Sequence, residues 1–240
     1  MKTLLICFAL TVTTFLSRTA HAQDGVVGNG TIVKQQRRIS SFHKLAVRIG
    51  MRVRITPGNV AEAELEGESN VLEHVITQVK NGELTVMLND NVRFKNTKGV
   101  TVTIHVPNLD QVMVSTGCSV QSDVSIKATN LIASVETGST LTAPISAKTL
   151  KLTVKEGSKA SLQGTATDAT IRLSGAGKLD ANKLTLDVAD IKLDGASQAT
   201  IHVTKTLAAS ADGVSSLTYS GNPTVTQQET SGMSKIRKQR

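Results

Sequence analysis

Residues 134–143 read SVETGSTLTA, and residues 153–162, nineteen positions on, read TVKEGSKASL. Each is an alternating apolar approach, a Gly-Ser, and a return to alternation. With the apolar residue three places before the turn as anchor, the copies are Val114-Ser-Thr-Gly117-Cys118, Val135-Glu-Thr-Gly138-Ser139 and Val154-Lys-Glu-Gly157-Ser158. Looser copies follow at Leu173-Ser-Gly-Ala176-Gly177, Leu193-Asp-Gly-Ala196-Ser197 and Ala211-Asp-Gly-Val214-Ser215. Successive anchors lie 21, 19, 19, 20 and 18 residues apart. A fixed period of this kind is the mark of a stacked repeat architecture.

Before each turn the apolar residues alternate with polar ones, as in Leu131, Ala133, Val135 and Leu150, Leu152, Val154. Period two means one face inward. The turn slot holds Gly, Ala or Ser, which tolerate tight or left-handed backbone at little steric cost. A unit of about twenty residues cannot bury its apolar face alone, whereas stacked copies bury a continuous core. An antiparallel meander would instead return the chain every 8–12 residues. The ladder Val114, Val135, Val154, Leu173, Leu193, Ala211 asks for stacking. So does a chain that is 2% aromatic, since a narrow core is filled by stacked aliphatics. At ~3.3 Å per residue, one coil of the chain wraps about 65 Å and rises roughly 4.8 Å. Parallel crossovers are overwhelmingly right-handed. The expected fold is all-β, a right-handed parallel β-helix (β-solenoid).

The two ends carry other signals. Lys2, the apolar run from Leu4 to Leu16, and Ala20-His21-Ala22 before Gln23 read as a cleavable secretory leader, residues 1–22, cut between Ala22 and Gln23. The apolar run is short of the ~20 residues needed to span a bilayer, and no later segment is apolar enough to do so. Loss of Lys2 and Arg18 with the leader lowers the formal charge from +8 to +6. Arg37-Arg38 and the tail Lys235, Arg237, Lys238, Arg240 supply much of that charge. Nucleic-acid sites add aromatic stacking platforms, and only Phe42, Phe94 and Tyr219 remain, so no nucleic-acid partner is expected. Without Cys7, Cys118 is alone and no internal disulfide forms. It fills the slot held elsewhere by Ser139, Ser158, Gly177, Ser197 and Ser215, and reads as a stand-in for serine at a turn.

The mature chain, 23–240, reads as one domain: an irregular β region over 23–106, regular rungs over 107–218, and a closing strand with basic tail over 219–240. In the first part Leu45, Val47, Ile49, Met51, Val53 and Ile55 alternate without a break, with Arg48, Arg52 and Arg54 on the opposite face. Thr56-Pro57-Gly58-Asn59 is a turn. A brief helical turn is expected over 69–74, followed by two strands about the hairpin signal Asn81-Gly82. These strands are expected to form wider rungs or a cap, which hides the backbone groups a bare rung leaves unpaired.

The pattern resembles the putative auto-transporter adhesin, head GIN domain family of the bacterial envelope. The resemblance runs from GNGTIVKQQRRISSFHKLAVRIGMRVRITPG through NVLEHVITQVKNGELTV to YSGNPTVTQQETSGMSKIRK. Its most specific part is Tyr219, Gly221-Asn222-Pro223 and Val225, then Ser231-Gly232 and Ile236; Gly-Met-Ser at 232–234 departs from the family's glycine-rich closing turn. The resemblance implies a parallel β-helix and export to the periplasm or cell surface, and offers no active-site residues to carry over.

The residues point to no cofactor, and to no catalytic or metal site. His43, His74, His105 and His202 are scattered without ligand spacing. Asp180, Asp187, Asp190 and Asp194 read as acidic turns on a solvated face. No Gly-x-Ser-x-Gly elbow is present, and GNG at 28–30 lacks the Lys-Ser and helix of a phosphate loop. Glu136 and Glu156 fall in related turn positions one place apart, the one arrangement that could serve a polysaccharide hydrolase or lyase, yet no aromatic platform for a sugar accompanies them. The expected role is a non-enzymatic, adhesin-like binding or structural module, with Arg48, Arg52 and Arg54 as candidates for an envelope polysaccharide or other surface ligand. Edge pairing with a second copy or a partner strand is the further route to association.

Overall fold

The computed structural model describes residues 25–57, 62–106 and 108–239. The leader, its cleavage site at Ala22–Gln23, Cys7 and the tip of the Pro57-Gly58-Asn59 turn lie outside them. The described chain is a parallel β-solenoid. Its strands include Gln111–Val114, Ser119–Ser122, Ile126–Val135, Thr140–Val154, Lys159–Leu173, Lys178–Leu193 and Gln198–Ala211. Each pairs in parallel with its counterpart one repeat later.

The anchors stack as the repeat requires. Val114 lies opposite Val135, Val135 opposite Val154, Val154 opposite Leu173, Leu173 opposite Leu193 and Leu193 opposite Ala211. A second inner column runs Leu45, Val112, Ala133, Leu152, Ile171, Ile191, Ala209. All of these side chains are buried. At about 25 cal/mol per Å² of apolar area removed from water, columns of this length supply the main driving force for the fold.

The ladder is longer at both ends than the repeat suggests. Val47 pairs with Val114 and Val86 with Val47, while Ala211 pairs with Thr230. Val47-Arg-Ile-Gly50-Met51 is therefore a further copy, and so is Thr230-Ser-Gly-Met233-Ser234. This alters the reading of residues 45–55. They are not one strand but two, Lys44–Arg48 and Arg52–Ile55, bent at a corner where Ile49 and Gly50 take φ of 59° and 67°.

Rungs do not follow the sequence at this end. Glu83–Leu88 lies parallel to Lys44–Arg48, and Thr101–Ile104 lies parallel to Arg52–Ile55, on the side away from Gln111–Ser122. The chain builds the 44–55 rung, covers its outer side, then crosses back to continue on its inner side. The cause is the intervening segment, which folds antiparallel. Val75–Lys80 returns through Asn81-Gly82, both left-handed, onto Glu83–Leu88. Glu62–Glu68 runs antiparallel to Thr101–Ile104, and Ile32–Arg38 runs antiparallel to Glu62–Glu68. The helical turn Ser69–Leu72 lays Val71 and Leu72 over the end of the core. Arg37 secures it, donating to Leu72 O at 2.8 Å and Val75 O at 2.6 Å. Arg37 thus takes up the Leu72 carbonyl that the short helix leaves unpaired together with that of Val75 at the start of the next strand, and is a structural cation within the basic pair.

The corners are of two kinds. Thr116–Gly117, Thr137–Gly138, Glu156–Gly157 and Gly175–Ala176 place two consecutive residues at positive φ. At Gly195, Gly213 and Gly232 only the glycine is left-handed. The second kind frees the next position for any side chain, which explains Ala196, Val214 and Met233 there. The Gly-Met-Ser departure is this second corner.

Candidate binding face

Beyond each corner, the residue five places after the anchor points outward, and parallel register stacks these residues into one column. It runs Thr101, Arg52, Ser119, Thr140, Lys159, Lys178, Gln198, Ser216, Lys235. Two residues on, a second column runs Thr103, Arg54, Gln121, Thr142, Ser161, Asp180, Thr200, Thr218, Arg237. The backbone fixes the first column: the N–H groups of Thr140, Lys159, Lys178, Gln198, Ser216 and Lys235 each donate to the carbonyl of the corner residue one rung back, from Cys118 to Ser215, at 2.8–2.9 Å. Shallow depressions of about 500 and 400 Å³ lie along this face, the second between Lys159, Lys178, Asp180, Gln198 and Ser216.

The predicted arginines separate here. Arg52 and Arg54 share this face, whereas Arg48 stands before the corner on the adjoining face, opposite Met87. Arg54 is held by Asp123 at 3.1 Å. Among the described residues no carboxylate lies within ion-pair distance of Arg52, Lys159, Lys178 or Lys235. Lys159 and Lys178 are direct register neighbours, a like-charge contact that opposes folding. The basic tail thereby joins the arginines through Lys235 and Arg237. The lysines at 159 and 178 were missed in the sequence, although the constant offset of five from Val47, Val154 and Leu173 would have aligned them with Arg52.

The other candidates do not converge. Glu136 accepts from Ser134 Oγ at 2.7 Å and faces Lys155 at 3.8 Å. Glu156 accepts from Thr137 Oγ1 at 2.8 Å. Of the four aspartates, Asp187 is bound by Lys205 at 2.9 Å and Thr204, so its carboxyl titrates below the usual range, mainly through the Lys205 hydrogen bond. Asp190 takes both Arg172 nitrogens, at 3.1 and 2.9 Å. Asp180 lies on the face beyond the corner and Asp194 at the corner itself. His74 meets Phe94 edge-on, His105 lies 3.0 Å from Thr56 O, and His202 lies 2.8 Å from Ser220 Oγ. No three His, Cys, Asp or Glu side chains among the described residues group as metal ligands would. Cys118 is buried, and burial pushes its thiol up.

One carboxylate has a role the sequence did not signal. Glu68 is buried and accepts the N–H of Gly30 at 2.8 Å and of Lys98 at 2.9 Å. These bonds favour its charged form and hold it below the usual carboxylate range. Gly28 lies so close that an added Cβ would fall 2.2 Å from Glu68 Oε2. The GNG stretch is thus clasped by a carboxylate.

Residues 41–223 match the profile of a protein family described as putative auto-transporter adhesin, head GIN domain. Among solved structures, a putative adhesin from Bacteroides fragilis superposes with a TM-score of 0.83 at 19% identity, covering 90% of this chain and 100% of that one. A putative lipid binding protein from Parabacteroides distasonis gives 0.71 at 14% identity, over 90% and 99%. A putative adhesin from Parabacteroides merdae gives 0.64 at 17%, again over 90% and 99%. At these identities the likeness is one of fold. No curated protein matches this chain. No helix among the described residues is long and apolar enough to cross a membrane.

Proposed function

Since the chain belongs to the putative auto-transporter adhesin, head GIN domain family, we propose that it works as an exported, non-enzymatic binding module of the bacterial cell envelope. The observation that carries this is the register of the outer face, where Arg52, Ser119, Thr140, Lys159, Lys178 and Gln198 follow one another at rung spacing. A rigid row of donors and cations sums weak contacts along an extended ligand, with little entropy lost on binding. The ligand class that fits is an envelope polysaccharide. The leader ending at Ala22 delivers the chain across the inner membrane. Glu136 and Glu156 stay engaged with their own neighbours rather than with each other, which favours binding over bond cleavage.

A glycan array of envelope polysaccharides tests the reading, using the full chain and the Arg52→Glu/Arg54→Glu variant with thermal melting as the folding control. Wild-type binding that drops sharply in a variant melting normally supports it. Turnover of any bound polysaccharide in a reducing-end assay, abolished by Glu136→Gln, replaces it with an enzyme.

A further inference from the structure

We propose that the ligand of this face is a linear anionic polysaccharide, lying parallel to the solenoid axis along the column Arg52, Lys159, Lys178, Lys235. The inference rests on the binding role argued above and names the ligand's chemistry. From Arg52 to Lys235 the column passes Ser119, Thr140, Lys159, Lys178, Gln198 and Ser216. Seven rung steps of ~4.8 Å give a track of about 34 Å. The cations occupy its two ends and its centre, and hydroxyl or amide side chains fill the places between. One sugar unit of an extended chain is about as long as one rung, so carboxylates or sulfates on such a chain meet the cations while its hydroxyls meet Ser119, Thr140, Gln198 and Ser216.

The column's charge has no internal use. Elsewhere some cations of the solenoid are taken up within the fold, Arg172 by Asp190, Lys155 by Glu136, Lys205 by Asp187 and Arg54 by Asp123. Others without a carboxylate partner among the described residues, such as Lys151 and Lys192, stand in different columns. The register pair Lys159 and Lys178 is the reverse case, since two like charges stand directly opposite each other and an outside anion relieves their repulsion. The geometry favours a chain over a lipid surface. The track is one residue wide, and the large exposed apolar side chains Ile132, Val188, Val214 and Met233 lie outside both columns. It favours a sugar over a nucleic acid, because no aromatic ring stands on the face and Tyr219 is buried.

Biolayer interferometry of the immobilised full chain, with polygalacturonate, neutral dextran and phosphatidylglycerol vesicles as probes, tests this. Polygalacturonate is expected to bind with an affinity that falls steeply with salt, and Lys159→Gln/Lys178→Gln to weaken it roughly tenfold and flatten the salt dependence. Lys151→Gln/Lys192→Gln, on the face before the corner, should leave both unchanged. Equal loss in the two variants overturns the assignment of the track, as does binding of the vesicles alone. Dextran bound as tightly as polygalacturonate overturns the anionic ligand but leaves a polysaccharide-binding role standing. No binding of either polysaccharide, here or across the glycan array, removes both.

Discussion

The backbone N–H of Ser139 donates to the Oγ of Ser158 one rung further on, at 3.1 Å, and the N–H of Cys118 donates to Ser139 Oγ at 3.2 Å. The corner residues point inward and are buried, so the hydroxyls of Ser139 and Ser158 each satisfy an amide that water cannot reach, whereas those of Ser197 and Ser215 donate to the carbonyls of Asp194 and Gly195. Cys118 continues the chain, its sulfur lying 3.3 Å from the N–H of Met51. The serine that the repeat places at a turn is therefore an interior hydrogen-bonding post.

Ser158→Ala leaves the Ser139 amide without a partner in the interior, and is expected to cost about 1–3 kcal/mol. Cys118→Ser keeps an acceptor for Met51 and should be near neutral, whereas Cys118→Val should resemble Ser158→Ala. Urea midpoints at constant m-value order the three variants. An equal, small effect for all three would show that the corner posts hold nothing.

The Cys118 thiol should resist alkylation in the folded chain, because burial disfavours the thiolate that reacts. Iodoacetamide labelling is expected only once urea opens the fold. Rapid labelling without unfolding contradicts the buried post.

Glycines at equivalent corners should differ in what they tolerate. Gly138 and Gly213 both have positive φ, at 68° and 72°. An added Cβ at Gly138 meets nothing within 4 Å, but at Gly213 it falls 2.6 Å from the carbonyl oxygen of Gly195. Gly138→Ala carries only the left-handed penalty, about 1–2 kcal/mol. Gly213→Ala must also push two rungs apart, and is expected to lower the melting temperature several degrees further. Equal melting temperatures would refute the close stacking of the late corners.

Glu68 makes the amino-terminal clasp sensitive to acid. Its folded-state pKa is depressed, so it stabilises the fold fully above its unfolded value of about 4.3 and loses that contribution as pH falls through the lower folded value. Asp187 and Asp212 are shifted the same way, so acid destabilisation is a sum. Glu68→Gln keeps one acceptor and turns an amide NH2 donor toward the other N–H. It should destabilise the chain at neutral pH and reduce the loss between about pH 5 and pH 2. Hydrogen exchange at Gly30 and Lys98 localises the effect; unchanged exchange at both amides would discount the clasp.

How much of this was legible follows from what each feature depends on. The core columns were, because period-two alternation and a near-constant repeat length are properties of the chain alone. The break at Ile49–Gly50 was not, since alternation continues across a corner that shifts the face but not the parity of burial. Nor was the crossing of residues 83–104 over the 44–55 rung, which depends on tertiary pairing between segments far apart in sequence. The binding column was half legible: Arg52 and Arg54 stood out as a cluster, whereas Lys159, Lys178 and Lys235 come together only through register. Glu68 could not be found, because its partners are backbone amides and carry no side-chain signal.

The last rung shows how the solenoid ends. Three inner columns pass from apolar to polar there: Ile191 and Ala209 lead to Gln228, Leu193 and Ala211 to Thr230, and Ile201 and Tyr219 to Lys238. Thr224–Thr230 is exposed throughout, and Lys235, Arg237 and Lys238 charge the neighbouring edge. An open edge with a polar inner face and like charges opposes pairing with a second copy. Restoring the apolar columns removes that protection. Gln228→Ile/Thr230→Val/Lys238→Leu is expected to self-associate through this edge, with a mass that rises with concentration in light scattering. A charge-reversed edge alone, Lys235→Glu/Arg237→Glu, changes the field without supplying apolar columns and should remain at the wild-type mass. If the triple variant also stays at the wild-type mass at every concentration, the polar ends of the columns are not what terminates stacking.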